Sequence, residues 1–254
     1  MILSKYKCLI FDVDNTILQY DASAAEALKT LLLNNNIEYT SQIEDIFRQV
    51  CYELWKSFDL NLLDDPVIRG KYHELFRVYN YKRFEVFLHK LDKLDKLDIG
   101  NFKNKSANDI SNEYEDIFNN THIFEEYAKD VLKECSKTHI IAAATNGLKD
   151  TQIKRLSPVK EYLSYVFISE EMRYVKPMKE FYNHMLNEMN LSNRECLFIG
   201  DLYTTDIVGA ISADMDALWY KTKDIDSAKW LEASTEYNMK VPVISSLNDI
   251  FRYI

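Results

Sequence analysis

The sequence predicts an α/β protein, a doubly wound parallel sheet carrying an inserted all-helical domain. Three observations lead there. Short runs that are continuously apolar, rather than alternating, recur along the chain, as strands buried on both faces require. From residue 122 onward these runs alternate with helical stretches, the order that builds a parallel sheet. Between the first run and the rest lies a block of roughly a hundred residues with helical periodicity alone, which marks an insertion.

The first strand is KCLIFDV at 7–13. In the block that follows, AAEALKTLLLNNN, QIEDIFRQVCYELWKSF, VIRGKYHELFRVYN and SNEYEDIFNN place apolar residues at i, i+3 and i+4, the pattern of amphipathic helices. The repeat KLDKLDKLD at 90–98 spaces Leu91, Leu94 and Leu97 three apart between Lys and Asp, a solvated helix with charge pairs along its face. Helices are then expected over 123–135, 150–156, 178–189 and 204–213. Strands are expected at HIIAAAT (139–145), YVFIS (165–169), CLFIG (196–200) and ALWY (217–220), with a weaker one at VPVI (241–244). The expected division is a core of 1–17 and 122–254 and a helical domain of 18–121.

Composition bounds the function. The chain has 254 residues and a formal charge of −9, enough for one large domain or two small ones with a core of their own. The acidic balance excludes a general binder of nucleic-acid polymers, which needs a basic face. Cys8, Cys51, Cys135 and Cys196 are scattered, without a Cys-x-x-Cys pair, so neither a zinc knuckle nor a disulfide framework is expected. The N-terminal stretch has no apolar signal region, and no apolar run nears the roughly 20 residues of a membrane helix. These features predict a reduced, soluble, cytoplasmic protein with no membrane partner.

Four short segments carry chemistry. IFDVDNTIL at 10–18 ends an apolar strand in Asp12 and Asp14, followed by Thr16. Two acids at the carboxyl edge of a sheet repel unless a divalent cation offsets them; capping aspartates in a loop are the alternative. An EF-hand loop is excluded, because its required Gly and Glu positions hold Ile17 and Ser23. AATNG at 143–147 ends a strand in Thr145, then Asn146 and Gly147 before a helix, a phosphate cradle or an ordinary helix cap. Lys176-Pro177 supplies a cation at a helix start, either a counter-charge for clustered acids or a surface lysine. LFIGDLYTTDI at 197–207 breaks a strand at Gly200 and Asp201, with Asp206 five residues on, again carboxylates poised for Mg²⁺. The five histidines show no metal-ligand spacing and no G-x-S-x-G elbow is present.

In this order, D-x-D-x-T, T-N, K-P and G-D-x-x-x-x-D, the segments resemble the four motifs of the haloacid dehalogenase (HAD) superfamily, and the helical insert resembles its helical-cap subclass. TNGLKDTQIKRL, ISEEMRYVKPMKEFYN, GDLYTTDIVGAISADMDALWY and ELWKSF resemble its noncanonical pyrimidine 5'-nucleotidase branch. The resemblance implies a Rossmann-like core and a Mg²⁺-dependent phosphomonoester hydrolase acting on a small phosphorylated metabolite. By the same resemblance Asp12 is the nucleophile and Asp14 the general acid and base. Thr145 and the Asn146 backbone hold phosphoryl oxygens, and Lys176 neutralises charge at the nucleophile and phosphoryl group. Asp12, the Asp14 carbonyl and Asp201 bind Mg²⁺, with Asp206 supporting them.

Leu202 departs from the branch, which usually has Ser after the Gly-Asp of the fourth motif, and the KLDKLDKLDIGNFKNKS stretch lengthens the insert. The insert is expected to set specificity, with Trp55 and Tyr72 as candidates to stack on a base. Three alternatives share the fold. A sugar-phosphate phosphatase or phosphomutase has the same motifs. A haloacid dehalogenase is disfavoured by Asp14, since a departing halide needs no proton. A catalytically idle ligand sensor would have no need of Asp12, Asp14, Thr145, Lys176 and Asp201 together.

Overall fold

A computed structural model describes residues 5–63, 65–94, 98–221 and 241–254. Among them six strands form one parallel sheet in the order β3-β2-β1-β4-β5-β6. They are β1 (Cys8–Phe11), β2 (Ile140–Thr145), β3 (Tyr165–Ile168), β4 (Cys196–Gly200), β5 (Asp216–Tyr220) and β6 (Val243–Ile244). Neighbouring strands are all parallel. The apolar runs lie here because the sheet is buried on both faces.

Alternation along each strand feeds two cores. Leu9, Phe11, Ile141, Ala143, Leu197, Ile199, Leu218 and Tyr220 pack with Val131 and Leu132 of α5 (Ala128–Cys135) on one face. Cys8, Ile10, Ala142, Ala144, Cys196, Phe198, Ala217 and Trp219 pack on the other, against Phe181, Met185 and Met189 of α8 (Lys179–Met189) and Ala210 of α9 (Val208–Ser212). Two further helices, α6 (Lys149–Leu156) and the short α7 (Ser169–Met172), follow β2 and β3. Helices on both faces make the sheet doubly wound. The four cysteines are free thiols, and among the described residues no helix is long and apolar enough to cross a membrane.

The chain divides into two compact units, Met1–Tyr20 with Ile123–Ile254, and Asp21–His122. The second is helical: α1 (Tyr20–Asn34, whose first residue belongs to the first unit), α2 (Ser41–Ser57), α3 (Pro66–Asp92) and α4 (Ala107–Asn119). Local chemistry sets its helix starts. Thr40 caps α2, Asp65 precedes Pro66 at the start of α3, and Ser106 with Asp109 forms a capping box on α4. Its core is aromatic, with Phe47 placed 5.1–5.5 Å from the rings of Phe84, Phe87 and Tyr114.

Three expected elements differ in extent, each for a physical reason. The helix read over 123–135 begins only at Ala128, because its first residues pair with the segment after β1: Gln19 N donates to the Ile123 carbonyl and Glu125 N to the Ile17 carbonyl. The helix read over 204–213 is split into a π-helical turn (Tyr203–Ile207) and α9. The third, α3, continues beyond residue 80 because Phe84, Phe87 and Leu91 extend its buried stripe. It stops at Asp92, where Leu94 N folds back to the Leu91 carbonyl, so Lys93 and Leu94 of the KLD repeat leave the expected helix. Residues 95–97, with Leu97, lie outside the described residues.

Two glycines predict opposite outcomes. On Gly209 a Cβ would stand 2.6 Å from Cζ of the buried Tyr182, and overpacking of this kind costs about 1–3 kcal/mol. On Gly70, exposed within α3, a Cβ would meet nothing within 4 Å, and removing a helical glycine gains about 0.5–1 kcal/mol. Urea unfolding should therefore show Gly209→Ala destabilised and Gly70→Ala stabilised relative to the parent; equal midpoints would refute this packing.

Candidate functional site

The strand order reverses direction at β1, and in open parallel sheets such a switch point leaves a crevice beyond the carboxyl ends of the strands. Asp12 follows β1 and Asp201 follows β4, on neighbouring strands with Phe11 opposite Ile199; Asp12 N donates to the Ile199 carbonyl at 2.8 Å. Thr145 is the buried last residue of β2. Gly200 matters here for close approach: a Cβ on it would stand 2.6 Å from Cγ of Asp206, so only glycine lets that side chain fold back against the strand end.

Lys176 is not the surface lysine that its sequence context allowed. It is 2% exposed, and its Nζ donates to Asp12 Oδ1 at 2.5 Å, Asp206 Oδ1 at 2.7 Å and the Ala144 carbonyl at 3.1 Å. An ammonium has three donors, and all three are used. Its backbone is held by the Asn146 side chain, which accepts from Lys176 N at 2.8 Å and donates to the Lys176 carbonyl at 2.9 Å. Gly147 N in turn donates to Ser169 Oγ at 3.0 Å.

Asp206 sits in the π-helical turn, with Oδ2 accepting from Leu202 N at 3.0 Å. Tyr182 Oη braces that turn through the Thr205 carbonyl at 2.5 Å. Leu202 thus serves Asp206 through its backbone while its side chain is 56% exposed. Such turns are rare and often sit at functional sites.

Asp12, Asp201 and Asp206 bring carboxylate oxygens within 4.8 Å of one another. Burial pushes Asp12 up to about 7, with the charges of Asp206 and Asp14 adding to the rise and Lys176 opposing it. Burial likewise pushes Asp201 up to about 9, reinforced by Asp12 and Asp206. For Lys176 burial acts the other way, but the two carboxylates outweigh it and hold the ammonium above its ordinary value. Three acids beside one ammonium would carry excess negative charge once ionised, and that mutual repulsion is part of what holds Asp12 and Asp201 protonated up to higher pH. Asp201 Oδ1 is also buried without a hydrogen-bond partner, while the Asp201 carbonyl accepts from Trp219 Nε1 at 2.7 Å. An all-oxygen set with an orphaned carboxylate oxygen fits a hard divalent cation such as Mg²⁺.

Asp14 is held by different partners. Arg155 donates to its Oδ1 at 2.7 Å and Gln152 Nε2 to its Oδ2 at 3.1 Å. The sequence reading did not single out either donor, although their i, i+3 spacing just after Thr145-Asn146-Gly147 was a signal available to it. It also missed Tyr182 and the Asn146 side chain, which act on backbone atoms and leave no motif. Trp55 and Tyr72, read as candidates to stack on a base, make ring contacts within the helical unit. Trp55 stands edge-on to Phe76 and Tyr79 at 5.6 and 5.4 Å, and the buried Tyr72 lies 5.9 Å from Phe76.

Residues 6–214 match the model of the haloacid dehalogenase-like hydrolases. The chain is 27% identical over 221 residues to HAD-hydrolase YfnB of Bacillus subtilis, covering 85% of each chain. A crystal structure of YfnB bound to magnesium superposes with a TM-score of 0.72 at 24% identity, over 97% of each chain. Pyrimidine 5'-nucleotidase PynA of Streptococcus pneumoniae is 27% identical over 226 residues, covering 87% of this chain and 86% of PynA. The human N-acylneuraminate-9-phosphatase is 22% identical over 230 residues, covering 87% and 85%. With the fold, the switch-point carboxylates and the buried lysine on one sheet edge, the chain belongs to the haloacid dehalogenase-like hydrolases.

Proposed function

We propose that this protein is a Mg²⁺-dependent phosphomonoesterase that works through an aspartyl-phosphate and acts on nucleoside 5'-monophosphates, pyrimidine ones in particular. The observation that carries the reaction type is the pairing of a buried Asp12–Lys176 contact with a second carboxylate, Asp14, two residues on and held by different partners. The substrate class rests on the likeness to PynA. The reading places a core at 1–17 and 122–254 and a specificity-setting helical domain at 18–121.

Asp12 attacks phosphorus, and the ester oxygen leaves with a proton from Asp14. Water, giving its proton to Asp14, then attacks the aspartyl-phosphate and frees inorganic phosphate and Asp12. Thr145 and the Asn146 backbone hold the phosphoryl oxygens. Lys176 offsets the negative charge that builds between nucleophile and phosphoryl group, and its complete set of hydrogen bonds keeps it from reorienting as charge moves. Asp12, the Asp14 carbonyl and Asp201 would hold Mg²⁺, with Asp206 behind them; the ion supplies charge neutralisation and Lewis acidity at the phosphoryl group.

A second reading, a sugar-phosphate phosphatase, is favoured by the likeness to N-acylneuraminate-9-phosphatase. Phosphate release from p-nitrophenyl phosphate, with and without Mg²⁺, tests the reaction type. A comparison of kcat/KM for UMP, dUMP and dTMP against a purine monophosphate and glucose 6-phosphate tests the substrate. A preference for the pyrimidine nucleotides is expected, and flat values or a sugar-phosphate preference would remove the nucleotidase reading alone.

Asp12→Asn should abolish turnover with the circular dichroism spectrum unchanged, because an amide cannot form the acyl-phosphate; substantial residual turnover in a clean preparation would refute the nucleophile. Mg²⁺ binding should be pH-dependent with a definite sign. Asp12 and Asp201, held up to about 7 and about 9, must release protons to bind the ion. Affinity should therefore rise with pH, by about tenfold per pH unit for each proton displaced. Calorimetric titrations across that range check this, with Trp219 as a fluorescent reporter beside Asp201; a pH-independent affinity would contradict the site as drawn.

A further inference from the structure

The structure assigns Gln152 and Arg155 to the Asp14 carboxylate as a two-point clamp that aims it, making both of them positioning residues for proton transfer. This inference rests on the reading of Asp14 as the proton donor. Arg155 is fully buried and Gln152 is 4% exposed. Burying a guanidinium costs several kcal/mol unless an anion compensates it, so an arginine here answers to charge more than to packing. In its ionised form, the one that accepts the proton of the attacking water, Asp14 supplies that anion, at 2.7 Å from Arg155, and its other oxygen accepts from Gln152 at 3.1 Å. One donor on each oxygen fixes both the direction and the plane of the carboxylate.

The anchor is a helix, whereas Asp14 lies in a turn. Asp14 lies in the loop after β1, partly exposed, next to Asn15 in a left-handed conformation. Gln152 and Arg155 lie three residues apart on α6, the helix that leaves directly from Thr145-Asn146-Gly147. The clamp therefore ties the proposed proton donor to the segment proposed to hold the phosphoryl oxygens. Gly147 makes room for it: a Cβ there would stand 2.8 Å from Gln152 Nε2. A proton donor must reach the leaving oxygen from one direction, and misplacement of about 1 Å can cost a factor of about a hundred.

A clamp that acts through Asp14 has a signature that general destabilisation lacks. It matters when the leaving alcohol needs a proton and matters little when the leaving group is p-nitrophenolate. The experiment measures kcat for p-nitrophenyl phosphate and for the alkyl phosphomonoester turned over fastest in the panel. The proteins compared are the parent, Asp14→Asn, Gln152→Leu, Arg155→Lys and each clamp variant combined with Asp14→Asn. Gln152→Leu and Arg155→Lys should lower kcat for the alkyl ester about tenfold to hundredfold, and for p-nitrophenyl phosphate by less than about threefold. Added to Asp14→Asn, neither should change the ratio of the two rates further.

Equal losses on both substrates, or a ratio that still shifts in the Asp14→Asn background, would overturn the clamp. A ratio shifted by Asp14→Asn and untouched by the clamp variants would overturn it while leaving Asp14 as the donor. Equal losses on both substrates in Asp14→Asn itself would remove the donor and the clamp together. Should Arg155→Lys fail to fold, Gln152→Leu decides the matter alone.

Discussion

One buried ammonium holds this sheet edge together. Lys176 binds Asp12 at the end of β1, the Ala144 carbonyl at the end of β2 and Asp206 beyond β4, so three chain segments meet on one charge. A lysine this deep is tolerable only when every donor is satisfied and anions stand beside it. The requirement runs both ways, since Asp12 and Asp206 are themselves buried and would repel each other without the cation. Removing the ammonium would leave uncompensated carboxylates and loosen the ends of adjacent strands.

Much of the surrounding structure serves that contact. The Asn146 amide grips the backbone of Lys176 on both sides. Asp206 reaches the ammonium because Gly200 lacks a side chain and because the chain after Leu202 takes a π-helical turn. That turn is braced by Tyr182, and Tyr182 fits because Gly209 leaves space for its ring. A chain of small-residue gaps and backbone hydrogen bonds thus sets the position of one carboxylate. Close packing makes such an arrangement rigid, since no member can shift without a neighbour shifting too.

Two carboxylates only two residues apart end in unlike surroundings. Asp12 is buried and faces the ammonium; Asp14 is more open and faces a guanidinium and an amide. Pairs of acids whose environments differ in this way can take different chemical roles, one as nucleophile and one as proton carrier. The difference arises from where the chain goes after β1: strand alternation would put residues two apart on one face, but β1 ends at Phe11 and Asp14 lies in the turn beyond it. The cluster of Asp12, Asp201 and Asp206 adds a third environment, in which three carboxyl groups crowd together beside one cation.

The sheet was legible in the sequence because a strand buried on both faces has to be apolar throughout. CLFIG is β4 to the residue, and HIIAAAT, YVFIS and ALWY differ from their strands only at their ends. The strand ends were legible for the same reason: an apolar run that stops at an aspartate shows where the chain leaves the core, as at Asp12 and Asp201. Less was legible where tertiary pairing competed with local preference. Residues 123–127 have a helical pattern, yet their backbone pairs with the segment after β1, and residues 203–207 take a π turn whose Thr205 carbonyl is held by Tyr182 from α8. By itself, then, the sequence determined the fold class, the order of the elements and the sheet edge that gathers the acids, all of which follow from local burial patterns. Only the tertiary structure decided that Lys176 is buried, that Asp206 turns toward it and that Gln152 and Arg155 turn toward Asp14. Those choices depend on distances between residues far apart in the chain, and hydrophobic periodicity carries no information about them.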